Sequence, residues 1–239
     1  MKIKITTLSA FLTGCGLLLS AFAAQAEGGV ALGATRLIYP QGAKEISIAL
    51  SNSSASGSYL IQSWLTGPDD QKTPDYVLTP PLFLSKPKSE NTLRIMYVGP
   101  PLPTDRESVF YLHSKSIPSV NKKALESSNV LQIAIVSVIK VFWRPNGLPT
   151  ASEVAPKSLV CSQSGGAVTL NNPSPYYVSL VSLYVGTHKL PNTMVPPKGS
   201  KTVLGGGGGN VTYKAVNDYG AMSATITCGN PLSGTKKPS

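Results

Sequence analysis

Short runs of alternating apolar and polar residues dominate the chain, with turns rich in Gly, Pro, Asn and Asp between them. Within 44–51, Ile46, Ile48 and Leu50 alternate strictly, and a polar Asn-Ser-Ser-Ala-Ser-Gly turn follows. Such a period of two puts the apolar side chains on one face of a strand. Further strands are predicted over 58–65, 91–98 and 108–113, and the longest over 129–143. In that longest run Leu131, Ile133 and Ile135 fall on one face, and Gln132 and Ala134 on the other. A strand so long and apolar is expected to be central. Were its first half an edge, its backbone N–H and C=O groups would be open to pairing, which proteins avoid unless they use it. No segment keeps a helical period beyond about two turns.

The best linker is Arg144-Pro145-Asn146-Gly147-Leu148-Pro149, because two prolines and a glycine cannot continue a central strand. A second set of short strands is predicted over 158–161, 167–171, 176–184, 211–215 and 222–228. The pattern gives an all-β protein with two β-sandwich domains, 27–147 and 148–230, and a polar tail over 231–239.

The first 26 residues read differently, as a signal peptide. Lys2 and Lys4 supply the positive start, an apolar stretch runs through Phe11 and Leu17 to Phe22, and Ala24-Gln25-Ala26 is a small-x-small cleavage site. A membrane anchor is disfavoured because Thr, Ser and Gly break the apolar run. Leu12-Thr13-Gly14-Cys15 looks like a lipoprotein cleavage box, but the strongest apolar stretch, Leu17-Leu18-Leu19, lies after Cys15 rather than before it. Export removes Cys15 and leaves Cys161 and Cys228 in an oxidising compartment, where an even pair is expected to form a structural disulfide.

Composition then narrows the function. The hydrophobic fraction is 41%, enough for a packed core, and the formal net charge is +10. A basic balance suits nucleic acid or a membrane surface. Here, however, no basic run is longer than a pair such as Lys236-Lys237 in the polar tail, and an exported protein rarely meets nucleic acid, so no nucleic-acid partner is expected. Neither H-E-x-x-H, G-x-S-x-G nor C-x-x-C occurs. His113 and His188 fall in different predicted domains, and no phosphate-loop Lys follows the glycine run 205–209. Neither a catalytic centre nor a metal or cofactor is expected, and the glycines read as a flexible loop between strands.

Four segments carry a family resemblance. They are Gly33-Ala34-Thr35-Arg36-Leu37-Ile38-Tyr39-Pro40; Leu102-Pro103-Thr104-Asp105-Arg106-Glu107-Ser108-Val109-Phe110-Tyr111, continuing to Ile117-Pro118; Asn129-Val130-Leu131-Gln132-Ile133-Ala134, running into Ile139-Lys140-Val141-Phe142-Trp143-Arg144-Pro145; and Asn217-Asp218-Tyr219-Gly220. In these segments the sequence resembles periplasmic pilus chaperones of the chaperone–usher pathway. That resemblance implies two immunoglobulin-like domains arranged as an L around a cleft. The partners it implies are pilin subunits, whose own sandwich lacks a strand, and an outer-membrane usher. The donated strand would carry Leu131, Ile133 and Ile135 into the pilin. Arg36 and Lys140 match the pair that binds the pilin's C-terminal carboxylate. Glu107, Arg144 and Asp218 match an interdomain ionic network, with Arg94 a further candidate member. An exposed donor strand leaves self-association of the free protein open. Two departures stand out: the family usually has Asn and then an apolar residue where this chain has His113 and Ser114. The short stretch between Pro118 and Leu131 and the lack of cysteines in the first domain favour the short-loop branch. The rival readings are a structural or adhesive pilus subunit, which should carry a single incomplete domain and a free N-terminal extension, and a secreted sandwich enzyme, which two isolated histidines argue against.

Overall fold

Strict alternation at Ile46, Ile48 and Leu50 does build a strand, and its apolar face helps to found one of two separate cores. The computed structural model describes residues 28–119 and 131–229. The segments read as a signal peptide and a lipoprotein cleavage box, residues 120–130 and the tail over 231–239 lie outside them.

The first domain has two sheets. One has the order β1 (Val30–Leu32), β3 (Ile46–Asn52), β7 (Ser89–Tyr97), β5 (Tyr76–Thr79). The other has the order β2 (Arg36–Pro40), β9 (Ile135–Arg144), β8 (Ser108–Pro118), β4 (Tyr59–Thr66), β6 (Leu82–Ser85). Only β2 and β9 pair in parallel; every other ladder is antiparallel. Leu50, Ile61, Leu93, Ile95, Leu112 and Val141 are fully buried between the sheets. Tyr76 meets Phe110 edge-on at 4.8 Å and Tyr39 at 6.0 Å, an aromatic end to the core.

In the second domain, β10 (Val160–Ser164), β11 (Ala167–Asn172) and β15 (Gly199–Leu204) form one sheet. The other comprises β13 (His188–Lys189), β12 (Val178–Val185), β16 (Val211–Ala215) and β17 (Ile226–Thr227), with β14 (Thr193–Val195) also on β12. Val168, Leu170, Leu180, Leu183, Val195 and Tyr213 fill its core. A disulfide joins Cys161 on β10 to Cys228, the residue after β17, as the even cysteine pair predicts. The one described helix is a 3-10 turn at Ala155–Ser158, where a strand is predicted to begin. The molecule is thus all-β, with two β-sandwich domains.

Three expectations change. The longest strand starts at Ile135, and Leu131 to Ala134 carry no ladder. The partner strand runs out: Ser116 pairs with Ile135, and two residues later Pro118 has no N–H to give. Gln132 Nε2 donates to Pro118 O at 2.7 Å instead. β8 is longer than its apolar pattern, because Ser114 and Ser116 turn inward and Ser63 Oγ donates to Ser114 Oγ at 3.2 Å inside the sheet. The last predicted strand, 222–228, shrinks to Ile226–Thr227 plus one bridge from Met222 to Val216. The glycine run does link two strands, β15 and β16. Gly209 has φ +128°, and a Cβ there would lie 2.9 Å from the Gly186 backbone.

Candidate functional site

The parallel pairing of β2 with β9 puts Arg36 directly beside Lys140. Tyr39, Val141 and Trp143 face the core, so Arg36, Lys140 and Phe142 share the opposite face of the sheet. Both cations are half-buried. Burial lowers the Lys140 pKa, and the neighbouring Arg36 charge lowers it further. Burial lowers Arg36 as well, against the pull of Asp218 and Glu107. Arg36 Nη1 donates to Val216 O of the second domain at 3.0 Å, and its guanidinium carbon lies 5.9 Å from the Phe142 ring centre. Arg36 Nε is buried without a hydrogen-bond partner among the described residues. Two adjacent, partly desolvated cations are an unfavourable arrangement that an anion would relieve.

Arg144, four residues on from Lys140, is a hub between the domains. Its Nε donates to Glu107 Oε1 at 2.7 Å, while Nη1 and Nη2 donate to the two Asp218 oxygens at 2.7 and 2.8 Å. Tyr177 N donates to Glu107 Oε2 at 2.8 Å, and Ser152 Oγ to Asp218 Oδ2 at 3.0 Å. The guanidinium also sits 5.1 Å from the Tyr176 ring centre. Burial pushes the Glu107 carboxyl up despite Arg144 and the Tyr177 N–H. At Asp218 burial also acts upward, but the Arg144 bonds and charge and the Ser152 hydroxyl outweigh it, so the net shift is down.

Arg94 does not join this cluster. It projects from β7 into solvent and faces Glu45 at 4.0 Å, because the β3–β7 register places it beside Ser47, away from the domain interface. Sequence reading missed the Val216 carbonyl and the Tyr177 N–H, main-chain groups that carry no sequence signal, and it missed the Ser152 hydroxyl. It also missed Asp105, where a second interdomain ion pair forms as Lys198 Nζ donates to Oδ2 at 2.8 Å.

The third feature is an uncovered edge. β2 pairs only with Lys140–Arg144, so Ile135 to Ile139 are laddered to β8 alone. On this strand Ile135, Ser137, Ile139 and Val141 share the core-facing side. Val141 is fully buried, yet Ile135 is 66% exposed; beyond the ladder Ile133 is 64% and Leu131 83% exposed. The apolar stripe therefore outruns the sheet that should cover it. Between the domains lies a cavity of about 230 Å³, lined among others by Arg36, Phe142, Arg144, Tyr177, Asp218 and Tyr219.

Residues 29–149 match the pili and flagellar-assembly chaperone PapD N-terminal domain, and residues 154–227 match the pili assembly chaperone PapD C-terminal domain. The probable fimbrial chaperone SfmC of Escherichia coli (strain K12) is 46% identical over 224 residues, covering 93% of this chain and 95% of that one. Chaperone protein FimC of the same strain is 45% identical over 208 residues, covering 86% of each. Among solved structures, the periplasmic chaperone SfaE aligns with a TM-score of 0.76 at 44% identity, covering 84% of this chain and 100% of that one. The SafB chaperone complex with Salmonella enterica SafA pilin gives 0.76 at 28% identity, covering 85% of this chain and 97% of that one. On these matches, the chain belongs to the PapD-like family of pilus-assembly chaperones.

Proposed function

We propose that this non-enzymatic pilus-assembly chaperone works in the periplasm by lending the open edge of β9 to a pilin subunit and binding the pilin's C-terminal carboxylate. The observation that carries the reading is a juxtaposition. Two half-buried cations, Arg36 and Lys140, stand in register where the free edge of β9 meets β2. A pilin strand laid along Ile135 to Ile139 would satisfy the unpaired main chain, and its terminal carboxylate would reach both cations. Leu131, Ile133 and Ile135 would enter the pilin. Each such aliphatic contributes roughly 1.5–3 kcal/mol on burial, before the costs of association.

Glu107, Arg144 and Asp218 would fix the angle between the domains, and hence the shape of the site. Export follows from the N-terminal segment, and a periplasmic location also agrees with the relative SfaE. Delivery would end at an outer-membrane usher, where the next subunit's N-terminal extension replaces the lent strand. Arg36→Ala and Lys140→Ala are each expected to abolish recovery of pilin from the periplasm, with the circular dichroism of the chaperone unchanged. Normal recovery with both variants would sink the anchor.

A further inference from the structure

The turn from Asn217 to Ala221 belongs to the second domain, yet it is built against the first. It is closed on itself: Asn217 N donates to Ala221 O at 2.9 Å, and Gly220 N to Asn217 O at 3.0 Å. Asn217 Oδ1 accepts from Tyr219 N at 3.1 Å and from Ala221 N at 2.8 Å. A turn with four such bonds moves as one piece.

This piece meets the first domain at three points. Asp218 holds Arg144, as described. The Val216 carbonyl, one residue before the turn, accepts the one hydrogen bond found for the Arg36 guanidinium among the described residues. The third point is Gly220, with φ +84°. A Cβ on Gly220 would overlap Thr35 Oγ1, and Thr35 immediately precedes Arg36. The turn is thus seated on the side chain of the residue before the arginine while its flank holds that arginine's head. A long side chain such as Arg36 has many rotamers, and nothing in β2 alone selects one.

We propose that Gly220 is a positioning residue for carboxylate capture. Its missing side chain lets the turn sit on Thr35 and keep the Val216 carbonyl on Arg36, so the second domain aims the anchor of the first. The inference rests on the carboxylate-anchor reading above. Any side chain at position 220 has two effects: it strains a positive-φ residue, and it makes the turn and the Thr35 side chain give way to each other. Only the second should move Arg36.

The test uses the mature chain and a synthetic peptide of the C-terminal strand of the pilin that co-purifies with it, made as free acid and as amide. Wild-type protein is expected to bind the acid more tightly. Gly220→Ala is expected to reduce the acid-to-amide preference at least about tenfold, as for loss of one charge-assisted hydrogen bond. Adding Thr35→Ala removes the overlapping hydroxyl and leaves the φ strain in place. The double variant should regain the preference without regaining thermal stability. If Gly220→Ala does not fold, Asn217→Ala takes its place and should show the same loss. Asn217→Asp, which keeps the accepting oxygen, should then retain the preference. A preference unchanged in Gly220→Ala, or lost and not restored by Thr35→Ala, overturns the inference alone. In the substitute pair, an unchanged Asn217→Ala or a loss shared by Asn217→Asp does the same. Wild-type protein that binds acid and amide equally overturns the anchor, and this inference with it.

Discussion

Arg144 holds two carboxylates that differ in burial, and the difference orders their titration. Glu107 is 3% exposed; burial raises its pKa above the ordinary glutamate range even with Arg144 beside it. Asp218 is pulled below the ordinary aspartate range by Arg144 and Ser152, which outweigh its own burial. As pH falls, Glu107 should take its proton first and lose its charge attraction to Arg144. The Asp218 contribution, full above the unfolded-state value, should be lost only as pH falls through its lowered folded-state value. A carbon-13 titration of the carboxyl groups should show that order, and the reverse order would mean that burial does not dominate at Glu107. The same scale explains His113 and Ser114. His113 stacks on Trp64 with ring centres 5.1 Å apart and its Nε2 lies 3.0 Å from Thr66 Oγ1, while Ser114 bonds Ser63 inside the sheet. Both residues are satisfied locally, leaving β8 continuous.

At the scale of the element, β9 does two jobs in one strand. Its second half is sandwiched between β2 and β8, and its first half has a neighbour on one side only. Substitutions just before its open half and in the core beside it should therefore separate stability from client capture. Ile133→Ser, at a site 64% exposed, is expected to shift unfolding by no more than about 0.5 kcal/mol while reducing pilin recovery. Leu112→Ala, on the neighbouring strand and fully buried, should cost about 2–5 kcal/mol. Urea unfolding read beside co-purification checks both. Equal destabilisation by the two would place the segment around Ile133 inside the protein's own core.

For the whole molecule, the two cores are separate and only the second is cross-linked. Breaking the Cys161–Cys228 bridge frees a loop of sequence separation 67, worth about 4 kcal/mol by loop closure. The double substitution Cys161→Ser with Cys228→Ser should lower the melting of the second domain and leave that of the first in place. Calorimetry that showed one common, uniformly lowered transition would instead mean that the interface couples the two domains into one folding unit. That interface combines a partly buried charge network at Arg144 with an exposed pair, Lys198–Asp105. The exposed pair adds little stability by itself, so added salt should disturb the Arg144 side less.

Much of this was legible in the chain. Period-two alternation is a local property, and it located β3, β4, β7, β11 and β16 to within a residue or two, because burying one face of a strand demands it. The family resemblance singled out Arg36, Lys140, Glu107, Arg144 and Asp218, and the even cysteine pair pointed to the disulfide. Three things needed the folded molecule. Alternation describes faces and not edges, so it could not tell that β9 is covered on both sides in one half and open in the other. Charge type does not reveal register, and so Arg94 stood as a further candidate for the network, whereas β7 turns it to solvent beside Glu45. Main-chain partners such as the Val216 carbonyl have no side chain to read; only the docking of one domain on the other brought that oxygen, 180 residues away in sequence, to the head of Arg36.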